Sequence, residues 1–262
     1  MNKIKCLIMD WAGTAVDYGC FAPVAAFVDC FKAIGAPVTV GETRAHMGMT
    51  KIEEIRALFA IGHVREDFKA KYRRDYGEQD VQECYMRFQA SLFAILEEYS
   101  MPIPGVVSTV ADLKAAGIKV GSTTGYTDKM MDIVIPAAAR HGYRTDCCVT
   151  SDGLPGGRPK PYMIYQNMCR LDIPSPRQVV KVGDTIADIK EGINAGTWSV
   201  GIIMGSNELA LTEDVVNEMP ADRLSCMMKD VRMRMYAAGA DYVIDTIDEL
   251  PTLIECINKR ME

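Results

Sequence analysis

The stretch KIKCLIMDWAGTAVDYGC, Lys3–Cys20, decides how the chain is read. A short apolar run ends in Asp10, and Gly13 and Thr14 follow at once. An unpaired buried carboxylate is costly, so an acid that closes a buried strand belongs at an accessible edge, where it meets a ligand, a metal or a reaction. Three further segments repeat the same grammar of β-prone run, small polar loop and helical pattern. They are GIKVGSTTGYTDKMMDIV (117–134), DCCVTSDGLPGGRPKPYMIYQNM (146–168) and VVKVGDTIADIKEGINAG (179–196). Runs of this kind alternating with helices predict right-handed βαβ units and an α/β fold with a doubly wound parallel sheet. WSVGIIMGS (198–206) and ADYVID (240–245) read as two more strands.

Between the first and second units the pattern changes. In PVAAFVDCFKAIG, KIEEIRALFA, EDFKAKYRRDYG and VQECYMRFQASLFAILEEY the apolar residues recur at three and four rather than two, which predicts amphipathic helices. The expected organisation is a catalytic core of residues 1–20 and 100–262 with an inserted helical domain at 21–99. Tyr18 to Pro23 mark the outward crossing, and Pro102, Pro104 and Gly105 the return.

The 262 residues suffice for such a pair of units, and 48% apolar with 24% charged residues is ordinary for a globular protein. No apolar run is long enough to cross a bilayer, and the first one leads into Asp10 rather than a cleavage site. Nine scattered cysteines without a CxxC pair, beside three histidines, argue against a disulfide framework or zinc site and for reduced thiols in a cytoplasmic protein. The seventeen methionines read as core filler. A net charge of −6 without a dense basic block makes nucleic acid and anionic membrane unexpected partners and a small molecule the expected one.

In a doubly wound sheet the residues just past the strand ends converge on one crevice. Here they are Asp10, Thr124, Arg158, Asp184 and Asp188. Three carboxylates with a hydroxyl and a cation suit phosphoryl transfer with Mg²⁺, the acids as oxygen ligands and Thr124 and Arg158 on the phosphoryl oxygens. Each has a plainer reading. Asp10 could be a helix N-cap; Asp184 and Asp188 could share one solvated helix face, or Asp184 could cap the helix that follows. Ser122, Thr123 and Thr127 compete with Thr124, and Lys160 with Arg158.

The order D-x-x-G-T, a hydroxyl residue after the second strand, a basic residue before proline, then G-D-x-x-x-D resembles the haloacid dehalogenase superfamily over nearly the whole chain. That resemblance implies that Asp10 is a nucleophile forming an aspartyl-phosphate, that the Ala12 backbone carbonyl joins Asp10, Asp184 and Asp188 around Mg²⁺, and that residues 21–99 are a cap. Superfamily phosphatases usually carry an acid two residues after the nucleophile to protonate an alcohol leaving group, and here that position is Ala12. Ester hydrolysis is therefore expected to be poor.

DWAGTAVDYGCFAP and MGMTK, joined with GSTTGYT and GRPKP, closely resemble the phosphonatase family, the branch of the superfamily that breaks a carbon–phosphorus bond. The resemblance implies hydrolysis of phosphonoacetaldehyde to acetaldehyde and phosphate, with Lys51 condensing with the aldehyde as a Schiff base. Expelling a carbanion directly is too costly, whereas a protonated imine accepts the electrons of the breaking bond as an enamine. Cys20 and Tyr126 match positions that line the family's site. Met47 and Gly48 shape the approach of cap to core, Gly48 by allowing close backbone contact. Outside this context Lys51 reads as a surface helix lysine, Cys20 as packing and Tyr126 as core or rim. The family often has a histidine three residues after the lysine, and here Glu54 stands there; His46 is the nearby substitute for proton handling. A homodimer formed through the cap is implied by resemblance alone. The rival readings are a Mg²⁺-dependent phosphatase or phosphomutase of the same superfamily, in which Lys51 is dispensable, and a silent binding protein on the same fold.

Overall fold

The computed structural model describes residues 3–261. All six predicted runs are strands of one parallel sheet, in the order β3-β2-β1-β4-β5-β6. They are β1 (Cys6–Met9), β2 (Lys119–Thr123), β3 (Cys147–Val149), β4 (Val179–Gly183), β5 (Trp198–Ile202) and β6 (Tyr242–Ile244). β1 and β4 are buried along their whole length, as expected for strands covered on both faces. The chain builds outward from β1 to β2 and β3, then returns to β4 on the other side of β1, so the direction of winding reverses between β1 and β4. That reversal opens a crevice beyond the carboxyl ends of the two strands. In the register, Met9 lies opposite Ser122 on one side and Val182 on the other, which brings Asp10 and Asp184 to the same rim.

Five helices follow β1 before the chain returns: α1 (Phe21–Ile34), α2 (Val40–Arg44), α3 (Lys51–Phe59), α4 (Gly62–Tyr72) and α5 (Glu78–Ile95). Their apolar stripes meet in an aromatic core, with Phe27 of α1 stacked on Phe88 of α5 at 4.1 Å and Phe31 5.0 Å from Phe59 of α3. The outward and return crossings are tied to one another. Ile103 N–H donates to the Ala15 carbonyl at 2.9 Å, and Val16 and Pro102 form an antiparallel bridge. The outward crossing also turns sharply, with Asp17, Gly19 and Cys20 all at positive φ. Cys20 has no side-chain oxygen to cap α1, and the Asp17 carboxylate takes that role, accepting the N–H groups of Phe21 (2.9 Å) and Ala22 (3.1 Å).

The sheet is covered by α6 (Val106–Ala115), α7 (Asp128–Arg140), α8 (Tyr162–Arg170), α9 (Ile186–Ala195), α10 (Glu213–Glu218), α11 (Ala221–Ala237) and α12 (Leu250–Arg260). Among the described residues, no helix is long and apolar enough to cross a membrane.

Candidate active site

The loop after β1 sets the first half of the site. Asp10 is buried, its N–H bonded to the Val182 carbonyl of β4, and it is not a helix cap. Gly13, at φ +86°, lets the loop pass directly over Asp184: a Cβ there would stand 2.2 Å from Asp184 Oδ2. Thr14 Oγ1 donates to Asp184 Oδ1 at 3.0 Å, and the Asn207 N–H donates to Oδ2 at 2.8 Å.

The turn from β4 into α9 sets the second half. Thr185, with Asp188 as its capping-box partner, is the N-cap of α9, so the plainer reading of Asp184 as the cap is corrected. The solvated-face reading fails as well, because Asp184 and Asp188 are both completely buried. Oxygens of Asp10, Asp184 and Asp188 lie within 4.8 Å of one another. Burial, with Asp10 and Asp188 alongside, pushes the Asp184 carboxyl well above its ordinary range. Asp188 is drawn the other way: burial opposes ionisation, but Arg158 and Lys181 hold the carboxyl below its usual value.

Arg158 spends every guanidinium nitrogen on protein acceptors. Nη2 donates to Asp10 Oδ1 (2.7 Å) and Thr123 Oγ1 (2.8 Å), Nη1 lies 3.1 Å from Asp188 Oδ1, and Nε donates to Glu191 Oε2 at 3.0 Å. It holds the Asp10 carboxylate by that bond to Oδ1; Lys160, its sequence rival, is exposed. Lys181 and Glu191 complete this cluster. Lys181 Nζ lies 2.6 Å from Asp188 Oδ1 and 3.6 Å from Glu191 Oε2, and both side chains are buried. The buried set holds four carboxylates, Asp10, Asp184, Asp188 and Glu191, against two cations, Arg158 and Lys181. The two excess negative charges and the all-oxygen donor set fit a divalent cation held by Asp10, Asp184 and Asp188.

Of the four hydroxyl candidates, Thr124 lines the cavity above Asp10. The other three are spent elsewhere: Ser122 on the Cys147 carbonyl, Thr123 on Glu191 and Arg158, Thr127 as N-cap of α7. The cavity wall continues through Ala12, Cys20, Met47, Gly48, Lys51, Tyr126 and Arg158, whereas Asp184, Asp188, His46 and Glu54 do not line it. Its free space is only about 20 Å³, room for a water and too little for a substrate. The helical insert is thus seated on the core. Gly48, at φ +92°, sits against the core, where a Cβ would meet Thr185 Oγ1 at 2.4 Å.

Lys51 opens α3 and points inward, 5% exposed. Its ammonium lies 5.6 Å from the Phe27 ring and 5.7 Å from the Tyr126 ring, and both oxygens of the equally buried Glu54 accept from it, at 3.0 and 2.9 Å. His46 is half-buried and does not line the cavity. Burial keeps the Cys20 thiol and the Tyr126 phenol well above their ordinary values, so both stay neutral. Arg44 of α2 crosses from the insert to the core, donating to the Gly19 carbonyl (2.7 Å) and Asn207 Oδ1 (3.0 Å), and Asn207 Nδ2 returns a bond to the Arg44 carbonyl.

A switch-point crevice lined by three aspartates, beneath a helical insert, defines a haloacid dehalogenase-like hydrolase, and that family's model matches residues 4–196. The chain is 54% identical to a phosphonoacetaldehyde hydrolase of Bacteroides fragilis over 261 residues, 100% of this chain and 99% of the other. It is 55% identical to one of Parabacteroides distasonis over 99% of each. The crystal structure of a phosphonoacetaldehyde hydrolase-like protein from Oleispira antarctica superposes with a TM-score of 0.96 at 34% identity, covering 98% of this chain and 94% of that one. The chain belongs to the phosphonoacetaldehyde hydrolase family.

Proposed function

We propose that the protein hydrolyses the carbon–phosphorus bond of phosphonoacetaldehyde, giving acetaldehyde and phosphate through a Lys51 imine and an Asp10 aspartyl-phosphate. The observation that carries this reading is a buried lysine from the insert lining the same cavity as Asp10, where Ala12 leaves no acid beside the nucleophile. The names of the relatives agree with it.

In this reading residues 21–99 act as a cap, and the nearly filled cavity requires the cap to swing away for substrate to enter. The neutral Lys51 amine adds to the aldehyde carbon and water leaves, placing a protonated imine two bonds from phosphorus. Asp10, its Oδ1 held by Arg158, presents Oδ2 to phosphorus. As that P–O bond forms, the C–P electrons pass into the enamine, so no proton is needed at position 12. Protonation of the enamine carbon and hydrolysis of the imine release acetaldehyde and restore Lys51, and water cleaves the aspartyl-phosphate. Thr124 would face the phosphoryl oxygens, while Arg158, its nitrogens engaged by Asp10, Thr123, Asp188 and Glu191, holds the Asp10 carboxylate for attack. Mg²⁺ on Asp10, Asp184, Asp188 and the Ala12 carbonyl would neutralise phosphoryl charge. Reduced thiols suit a cytoplasmic setting, and an apolar groove of about 610 Å³ beside α1, lined by Phe21, Val24, Val28 and Met101, offers surface for a homodimer.

Borohydride added with phosphonoacetaldehyde and Mg²⁺, followed by intact-mass and peptide analysis, tests the reading. The expected result is a reduced adduct on Lys51, with free phosphate in a parallel sample without reductant. Phosphate released from ordinary esters, with no adduct, would overturn it.

A further inference from the structure

Two of the cysteines meet inside the helical insert. Cys30 stands on the buried face of α1 and Cys84 on that of α5. Their sulfurs lie 2.9 Å apart, and the Cys30 thiol also reaches the Cys84 carbonyl at 3.2 Å. Among the described residues no other two thiols lie in hydrogen-bond reach of one another. The seam that sets this contact also carries the aromatic stack. Phe27 lies one turn before Cys30 on α1 and Phe88 one turn after Cys84 on α5, with their rings 4.1 Å apart. Cysteines 54 positions apart in the chain are thus held face to face by packing that neither of them provides.

We propose that Cys30 and Cys84 form a modification site, which hydrogen peroxide converts reversibly into a disulfide that joins α1 to α5 and braces the insert. A disulfide holds its sulfurs at about 2.0 Å, so the pair has to close by about 0.9 Å (2.9 less 2.0). The Cys30 thiolate sulfur attacks one peroxide oxygen, the O–O bond breaks, and hydroxide leaves with the Cys30 proton as water. Cys30 is then a sulfenic acid. The Cys84 sulfur attacks the Cys30 sulfur, the S–S bond forms as the S–O bond breaks, and hydroxide leaves with the Cys84 proton as a second water. Two thiols give up two electrons, and hydrogen peroxide takes them to become two waters.

The surroundings set the order of attack. The Cys84 thiol, helped by the charge of Arg87, holds Cys30 below the ordinary thiol range against the opposing effect of burial, while Cys84 itself is pushed up. Cys30 is therefore the attacking sulfur and Cys84 the resolving one. At 3% and 1% exposure the pair is reached during brief openings of the seam, which favours an oxidant close to water in size. Location sets the effect. Both residues belong to the insert, so the bridge makes no tie to the core and leaves the insert free to swing. It holds the same seam from which Phe27 stands 5.6 Å from Lys51 Nζ, and so keeps that wall of the cavity in place. Reduced thiols are the resting state of such a pair in a reducing compartment, and the bridge is its response to oxidant.

The test is peptide mapping of the folded protein after treatment with hydrogen peroxide, with catalase to stop the reaction and alkylation of the remaining thiols in denaturant. The expected result is a peptide linking Cys30 to Cys84, lighter by two hydrogens than its reduced parts and separated by dithiothreitol. The urea midpoint of the treated wild type should rise and fall back on reduction, whereas Cys30→Ala treated in the same way should show neither linkage nor rise. Phosphate release should persist in the bridged protein; its loss in step with the linkage, and not in treated Cys30→Ala, would refute the bracing role. Oxidation of the exposed Cys169, Cys226 and Cys256 shows that the peroxide has acted. If Cys30 and Cys84 are then still alkylated in full, or carry separate sulfinic acids, the proposal is overturned. Linkage that forms only in urea overturns it too, because the folded insert would not have brought the pair to reaction. Should Cys30→Ala fail to fold, the wild-type map decides alone.

Discussion

Gly125 offers a direct way to pry the insert from the core without touching any reacting group. It follows Thr124 on the core side of the seam, and its φ lies outside the left-handed range, so alanine fits the backbone there. A Cβ on Gly125 would stand 2.5 Å from the Met49 carbonyl oxygen, against the 3.4 Å at which ordinary contact begins, so the seam has to part by about 0.9 Å (3.4 less 2.5). Met49 O belongs to the backbone just before α3 and has no rotamer through which to retreat. A displacement of this size between Lys51 and Asp10 is of the order that costs about 100-fold in rate, or about 3 kcal/mol of transition-state free energy. Gly125→Ala should therefore lower kcat/KM for phosphate release about 100-fold, with thermal melting little changed because the insert swings rather than unfolds. Gly62→Ala on α4, where a Cβ meets nothing within 4 Å, is the control and should leave activity as it is. A folded Gly125→Ala enzyme within about threefold of wild type would show that the seam does not set the reacting geometry.

Asp10→Asn should abolish phosphate release yet still yield a Lys51 adduct with borohydride, because imine formation precedes attack on phosphorus; loss of both would put Asp10 in the first step. Asn207→Ala removes a cap bond to Arg44 while its N–H still reaches Asp184, so KM should rise more than the Mg²⁺ requirement, and steady-state titration of each separates the two. Asp17→Asn should flatten the pH dependence of stability. Burial raises the Asp17 carboxyl from 3.8 to about 7, so its stabilising contribution is full below the unfolded value and is lost as pH rises through the folded one. Between pH 5 and 8 the wild type should lose about 3 kcal/mol relative to the variant in urea unfolding, and parallel curves would exclude the assignment.

The sheet was legible because a buried parallel strand needs an unbroken apolar run, and six such runs stand in the sequence. Asp10, Asp184, Thr124 and Arg158 were legible because each ends or follows such a run and so has to reach the crevice. Lys181 was hidden inside the run VVKV, which reads as apolar despite its one charge; that charge was the signal, since a lysine in a central strand needs a buried acid. Glu191 lies three residues after Asp188 and shares its helix face, a relation that becomes informative only once Asp188 is known to point inward. The pairing of Arg44 with Asn207 spans 163 residues and leaves no local trace. Asp17 caps α1 from four residues away because the turn at Gly19 and Cys20 is left-handed, a conformation that a cysteine does not advertise.

The charges of core and insert are arranged so that neither disturbs the other. In the core, Arg158 and Lys181 leave Asp184 without a paired cation: its hydrogen-bond partners are the Thr14 hydroxyl and the Asn207 amide, and burial pushes its carboxyl well above the ordinary range. A divalent cation there would restore balance without help from the insert. The insert brings Lys51 and Glu54 as an ion pair, so seating it over Asp10 adds no net charge there. A phosphatase acid at position 12 would break this arrangement by placing a further titrating carboxyl between the pair and Asp10. Ala12 therefore adds no charge at the point where the acidic core cluster and the Lys51–Glu54 pair meet.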